Sequence, residues 1–204
     1  MPAVTPGTPE PVDVHLYFHF RSPFCYLASK TMWPIFDDFH TRLAWRPLGG
    51  WDGRSPPERA KVKIPIARQD LARHCRRLGI PCNPPPVTTD ATLAGVGSLL
   101  AEQRGVLREY IVEMMRAEWA AGLDIGEAAP RNAVAQAVGL DLAEYEEFVA
   151  DPAHLRQLSA HWEEAQAKGV FGVPTFVIGD QIFWGNDRVD FVLEHLTELR
   201  LARR

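Results

Sequence analysis

Ser22 opens the run Arg21-Ser22-Pro23-Phe24-Cys25, which reads as the entry to a helix. Serine is a good helix N-cap, and proline fits the first helical position. A helix start carries unpaired N–H groups and a partial positive charge, so it favours an anion. A cysteine placed there acquires a lowered pKa and becomes a nucleophile. A serine hydroxyl is far too weak an acid for that. It can still donate a hydrogen bond to an anion that something else brings, such as a thiolate. Ser22 is therefore suited to holding a thiolate and not to being one. On local sequence alone, a serine that only caps its helix is the plainer alternative. Far along the chain, Val173-Pro174 leads into the apolar run Thr175-Phe176-Val177-Ile178. The Val173-Pro174 bond is expected to be cis, a form that X–Pro bonds adopt far more readily than others.

Other reactive types have plainer readings. Cys25 lies one turn into the helix and reads as a small buried hydrophobe. His19 sits on the polar side of the first strand, where a structural role is the default. Met114, Met115 and Trp119 are spaced as helical core, and Trp184 as packing at a pocket rim. The three cysteines form no Cys-x-x-Cys pair, and Cys75 and Cys82 have no histidine pair at ligand spacing, so neither a disulfide framework nor a metal site is expected.

The elements around these residues follow from periodicity. Val12 to Phe20 alternates, with Val12, Val14, Leu16, Phe18 and Phe20 on one face and Asp13, His15, Tyr17 and His19 on the other, which is a strand. Phe24 to Phe39 reads as a helix that Pro34 bends or shortens. Leu43 to Leu48 reads as a second strand, parallel to the first in a right-handed β-α-β unit. Gly49 to Pro57 is a Gly- and Pro-rich loop. Helices are expected over Ile66–Leu78, Ala91–Gln103, Leu107–Ala121, Arg131–Val138, Leu142–Val149 and from Asp151-Pro152 to about Lys168. Pro174 to Ile178 and Gln181 to Trp184 form a hairpin about Gly179-Asp180, and a last helix follows with Asp187 as its cap.

Length and charge bound the rest. The 204 residues hold one sizeable core, or a small domain with a large insertion. A net charge of -4 points away from nucleic acid and anionic membranes as partners. No segment approaches the ~20 apolar residues of a membrane span. Met1 to Pro11 lacks a signal pattern and reads as a disordered lead, so a cytoplasmic protein is the default.

The order β-α-β, helices, β-β-α is that of the thioredoxin fold, whose active residues sit where the first strand enters the first helix. The sequence resembles the 2-hydroxychromene-2-carboxylate isomerase family, related to kappa-class glutathione transferases and to DsbA-like oxidoreductases. The matching stretches are Tyr17 to Ser29, Ser55 to Asp70 and Gly169 to Arg188, with the helices between them. The resemblance implies an α/β thioredoxin-like domain from residues 12–54 and 169–204, with a helical domain inserted over 55–168. It implies glutathione as cofactor, with Ser22 donating to its thiolate and the backbone of Val173, before cis-Pro174, pairing with its cysteinyl part. It places Asn186 and Asp187 at the γ-glutamyl end, and Lys63 and Arg54 near a carboxylate of glutathione or substrate. A carboxylate is a natural partner for an ammonium, and helix-start N–H groups for a carboxylate, which suits that assignment. The chain departs from the family at His19, where relatives carry Asp, and at Arg54, Ile66 and Cys25, where they carry Asn, Tyr and Ser. The implied activity is isomerisation of an aromatic or unsaturated carboxylate by transient thiolate addition, in a homodimer. A kappa-like transferase, a monothiol oxidoreductase working through Cys25, and a non-catalytic binder are the alternatives.

Overall fold

The computed structural model describes residues 9–49 and 57–203. Arg54 and the beginning of the N-terminal lead fall outside the described residues. Strand β1 (Val12–Phe18) pairs in parallel with β2 (Thr41–Pro47), and antiparallel with β3 (Thr175–Ile178). Strand β4 (Gln181–Trp184) closes the sheet on the outside, giving the order β2-β1-β3-β4. Tyr17 stands opposite Thr175, so the chain just before Thr175 runs alongside the exit of β1. That register brings two distant segments to one place.

Helix α1 (Pro23–Thr31) starts where expected, with Ser22 as its cap. The expected helix to Phe39 divides in two. Pro34 has no N–H to donate and its ring crowds the preceding turn, so α1 ends and a short α2 (Pro34–Asp37) begins, although Trp33 between them keeps helical backbone. Between β2 and β3 lie α3 (Pro57–Leu78), α4 (Thr92–Gln103), α5 (Leu107–Met115), α6 (Ala128–Ala137), α7 (Leu142–Ala150) and α8 (Pro152–Ala167). Helix α3 begins well before the expected Ile66 and runs through Pro65. A π-turn, Arg116–Ala120, extends α5. After β4 a 3-10 turn, Asn186–Arg188, leads into α9 (Val189–Glu198).

Val14, Leu16 and Phe18 of β1, with Trp45 of β2 and Phe176 of β3, form one core with Cys25 and Leu27 of α1. The same core runs on without a break into Leu99, Tyr110, Met114 and Tyr145 of the helical block. The sheet and the helices are thus joined by buried apolar surface.

The polar side expected for β1 is corrected by α8. Tyr17 is fully buried there with Leu48, Ala165, Val170 and Val177. Alternation reported the two faces properly, but a tyrosine can be buried once its hydroxyl finds an acceptor. Here Tyr17 donates to Glu164 Oε1 of α8 at 2.9 Å.

Candidate functional site

Ser22 has the extended backbone of a cap (φ -90°, ψ 122°), and its Oγ accepts from the Cys25 N–H at 3.3 Å. The same Oγ donates to the carbonyl of Val173 at 3.4 Å. The Val173–Pro174 peptide is cis. Two residues some 150 positions apart are therefore in direct contact at the exit of β1. Ser22 and Val173 are half-buried, whereas Pro174 is buried. The O–H···O bond is long against the usual length of about 2.7–2.8 Å, and the N–H···O bond is long against about 2.9–3.0 Å, so neither holds the hydroxyl tightly.

Cys25 lies directly behind this cradle and is wholly buried. Burial pushes its thiol up to about 12, although the His19 N–H at 3.5 Å and the Ser22 hydroxyl pull it down. It is a packed, protonated thiol and not an attacking group. His19 is engaged locally, its Nδ1 accepting from the Arg21 N–H at 3.0 Å.

The turn Asn186–Arg188 packs against α1, which brings Asn186 and Asp187 to the same end of the sheet as Ser22. Asp187 does not cap α9, as expected; the cap position falls to Arg188, without a side-chain bond. The Asp187 carboxylate instead pairs with Arg188 Nη1 at 2.9 Å and sits over Gly185. Gly185 (φ 119°) turns the chain in a way that a side chain would resist. Asp187 remains exposed and Asn186 half-buried. Lys63 lies on the exposed side of α3, which also packs on α1. Beside the cradle, the Trp184 ring covers Gly172, where an added Cβ would come within 2.5 Å of its Nε1. Trp184 also meets Phe171 with ring centroids 4.5 Å apart. Both rings are largely exposed, so Trp184 is a rim more than packing.

Sequence reading missed Arg21, Glu118 and Trp119 as a group. Glu118 is wholly buried, and its Oε1 lies 3.8 Å from Arg21 Nη1. Trp119 donates to the carbonyl of Phe20 at 3.0 Å, and its ring lies 5.5 Å from the Arg21 guanidinium carbon. A signal was present. Glu118 falls four residues after Met114 on an apolar stripe, where a carboxylate calls for a buried partner. The π-turn that carries it is of a kind frequent at functional sites. An open hollow of about 500 Å³, lined by Glu144, Phe148, Asp151 and His154, lies at the junction of α7 and α8 instead. Its acidic lining suits no anion. Among the described residues there is no cluster of His, Cys, Asp or Glu fit to hold a metal. Nor is any helix among them long and apolar enough to cross a membrane.

A capped helix start that faces the residue before a cis-proline is the working end of a thioredoxin-like protein. Comparison with known families agrees: the DSBA-like thioredoxin domain matches residues 13–197, and the chain belongs to that family. It is 29% identical over 196 residues to a 2-hydroxychromene-2-carboxylate isomerase of Sphingobium xenophagum, covering 91% of this chain and 98% of that one. A protein of the same name from Pseudomonas putida is 28% identical over 189 residues, 89% of this chain and 92% of that one. A solved 2-hydroxychromene-2-carboxylate isomerase has the same fold, with a TM-score of 0.81 at 25% identity over 92% of this chain and 95% of that one. The resemblance read from the sequence motifs is borne out.

Proposed function

We propose that this protein is an isomerase of the 2-hydroxychromene-2-carboxylate type and that it works with glutathione. The observation that carries the reading is the Ser22 hydroxyl 3.4 Å from the carbonyl of Val173, in a half-open cradle with no ionisable thiol of its own. The names of the relatives supply the reaction class.

The residues present suit glutathione. Oγ of Ser22 is held by two long bonds that a better acceptor displaces. The backbone at Val173 offers peptide groups for an added strand. Asp187 is exposed and able to share an ammonium. When bound, glutathione would supply a thiolate nucleophile for reversible addition to an unsaturated carbon, chemistry that would permit isomerisation with no net consumption of the thiol. Ser22 would donate to that sulfur, and the start of α1 would favour its charge, which together lower its pKa. Asn186 and Asp187 would hold the γ-glutamyl end, and Lys63 a carboxylate. The helical block would cover the sheet end and keep bulk water from the reacting bond.

The test is a glutathione titration followed by an absorbance assay on 2-hydroxychromene-2-carboxylate. Turnover that needs only trace glutathione is expected. Stoichiometric loss of glutathione would mark a transferase instead, and binding without turnover a binder.

A further inference from the structure

Arg21 precedes the cradle serine in the chain, yet its side chain reaches across to the helical block. Its Nη2 donates to the carbonyl of Pro86 at 2.9 Å. Nη1 stands 3.8 Å from Glu118 Oε1, beyond ordinary hydrogen-bond length, and buried Nε has no partner among the described residues. A guanidinium has five N–H donors in a planar fork, and among the described residues this one spends a single donor on a full hydrogen bond. Such under-use in a dry place is costly unless a ligand completes it.

The setting keeps the fork ready. The Trp119 ring lies along it, itself fixed by its bond to Phe20, and supplies a cation–π contact. Glu118 offsets the cost of a desolvated charge from the inner side. The surrounding charges point the same way. Glu118 is wholly buried, and Asp124 is partly occupied by the Gly126 N–H at 2.9 Å, whereas Arg68 of α3 is exposed. The cationic half of this set is the half that faces out. The Arg21 side chain keeps 17% of its surface open.

We propose that Arg21 is the specificity-determining residue that reads the carboxylate of the unsaturated acid, from juxtaposed under-used guanidinium donors at the junction of sheet and helices. Bidentate carboxylate binding is the geometry that a fixed guanidinium fork favours, and lysine does not reproduce it. This rests on the site proposed above, and it adds the group that would select acids over neutral analogues.

The test compares trans-cinnamate with trans-cinnamamide by titration calorimetry, with and without saturating glutathione. The unmodified protein is expected to prefer the acid by roughly tenfold or more, the scale of a charged hydrogen bond. Arg21→Met should erase that preference by weakening the acid alone, and Arg21→Lys should keep only part of it. Glutathione affinity should stay within about twofold in both variants. Equal binding of acid and amide by the unmodified protein, or an undiminished preference in Arg21→Met, overturns the assignment. If Arg21→Met fails to fold, Arg21→Lys and the two ligands on the unmodified protein still decide it. Failure of glutathione to bind would sink the cofactor reading and leave the acid–amide comparison standing.

Discussion

Strand β1 serves two polar centres that are built in opposite ways. On the α8 side, Glu164 accepts from Tyr17 at 2.9 Å and from Arg46 Nε at 2.7 Å, with His15 Nδ1 at 3.2 Å and Lys168 Nζ at 3.6 Å. Burial raises its pKa, but the bonds from Arg46 and Tyr17 and the charges of Arg46 and Lys168 outweigh it and hold the carboxyl at about 2. At the strand exit, Ser22 has only its two long bonds, and Arg21 one full bond from five donors. The first centre gives its carboxylate two short hydrogen bonds and a nearby ammonium, leaving only His15 Nδ1 without a hydrogen bond among the described residues, and it fastens α8 to the sheet. The second leaves donors under-used beside an opening. Polar groups that stabilise a fold find close partners within it, and groups kept for a ligand are left incomplete.

The contrast breaks most sharply at Ser22. Ser22→Ala is expected to lower turnover about 10²-fold, the scale of losing one charge-stabilising donor, and to raise the pKa of bound glutathione. Stability should fall by only about 1 kcal/mol, the value of one helix cap. Steady-state kinetics and a thiolate absorbance titration read the two effects. Unchanged kinetics would reduce Ser22 to a cap. Glu164→Ala should show the reverse. It leaves the buried Tyr17 hydroxyl without its acceptor, so urea unfolding should reveal a loss of about 1–3 kcal/mol. Its kcat should hold within about twofold, because Glu164 lies on the other face of the strand.

The acid limb of stability sharpens the same comparison. The carboxyl of Glu164 is held at about 2, against an ordinary 4.5. A depressed carboxylate stabilises the fold fully above its unfolded pKa, and the benefit drains away as pH falls from about 4.5 towards 2. Glu164→Gln should flatten the loss of stability across that window and leave the slope at neutral pH unchanged. Denaturant midpoints at stepped pH measure it. A variant whose acid limb matches that of the unmodified protein would remove Glu164 as its source.

What was legible in the sequence was mostly local. Ser22 and Pro23 mark a helix start through capping chemistry, Pro34 divides a helix, and Gly179-Asp180 turns a hairpin; each acts within a few residues. The cis bond at Pro174 was legible because only X–Pro bonds adopt that form readily and the stretch around it resembles the family's. Contacts made at long range were not. The N-terminal part of α3 lacks an apolar stripe and carries Pro65, so its exposed turns leave no periodic trace. Asp187 looked like a cap, but its carboxylate is drawn to Arg188 and lies over Gly185. Tyr17 is buried only because α8 brings Glu164 to its hydroxyl, and Arg21 meets Glu118 from far along the chain.

Smaller effects probe the rim and the wall of the cradle. Gly172→Ala places a Cβ against the Trp184 ring, which must swing outwards. About 1 kcal/mol of stability and a shift in tryptophan emission are expected, with glutathione affinity reduced a few fold. The least change should follow alteration of Cys25. Its thiol is pushed up to about 12 by burial, so almost none of it is thiolate at pH 7–8. Iodoacetamide applied to the native protein should therefore mark half-buried Cys82 before Cys25 or Cys75, as peptide mass mapping would show. Cys25→Ala should leave turnover within about twofold and cost stability only as a small cavity does. Rapid alkylation of Cys25 with loss of activity would mean that the wall opens. A thiol directly behind Ser22 would then be within reach of the reaction, and the division between a serine that holds sulfur and a cysteine that only packs would fail at this helix.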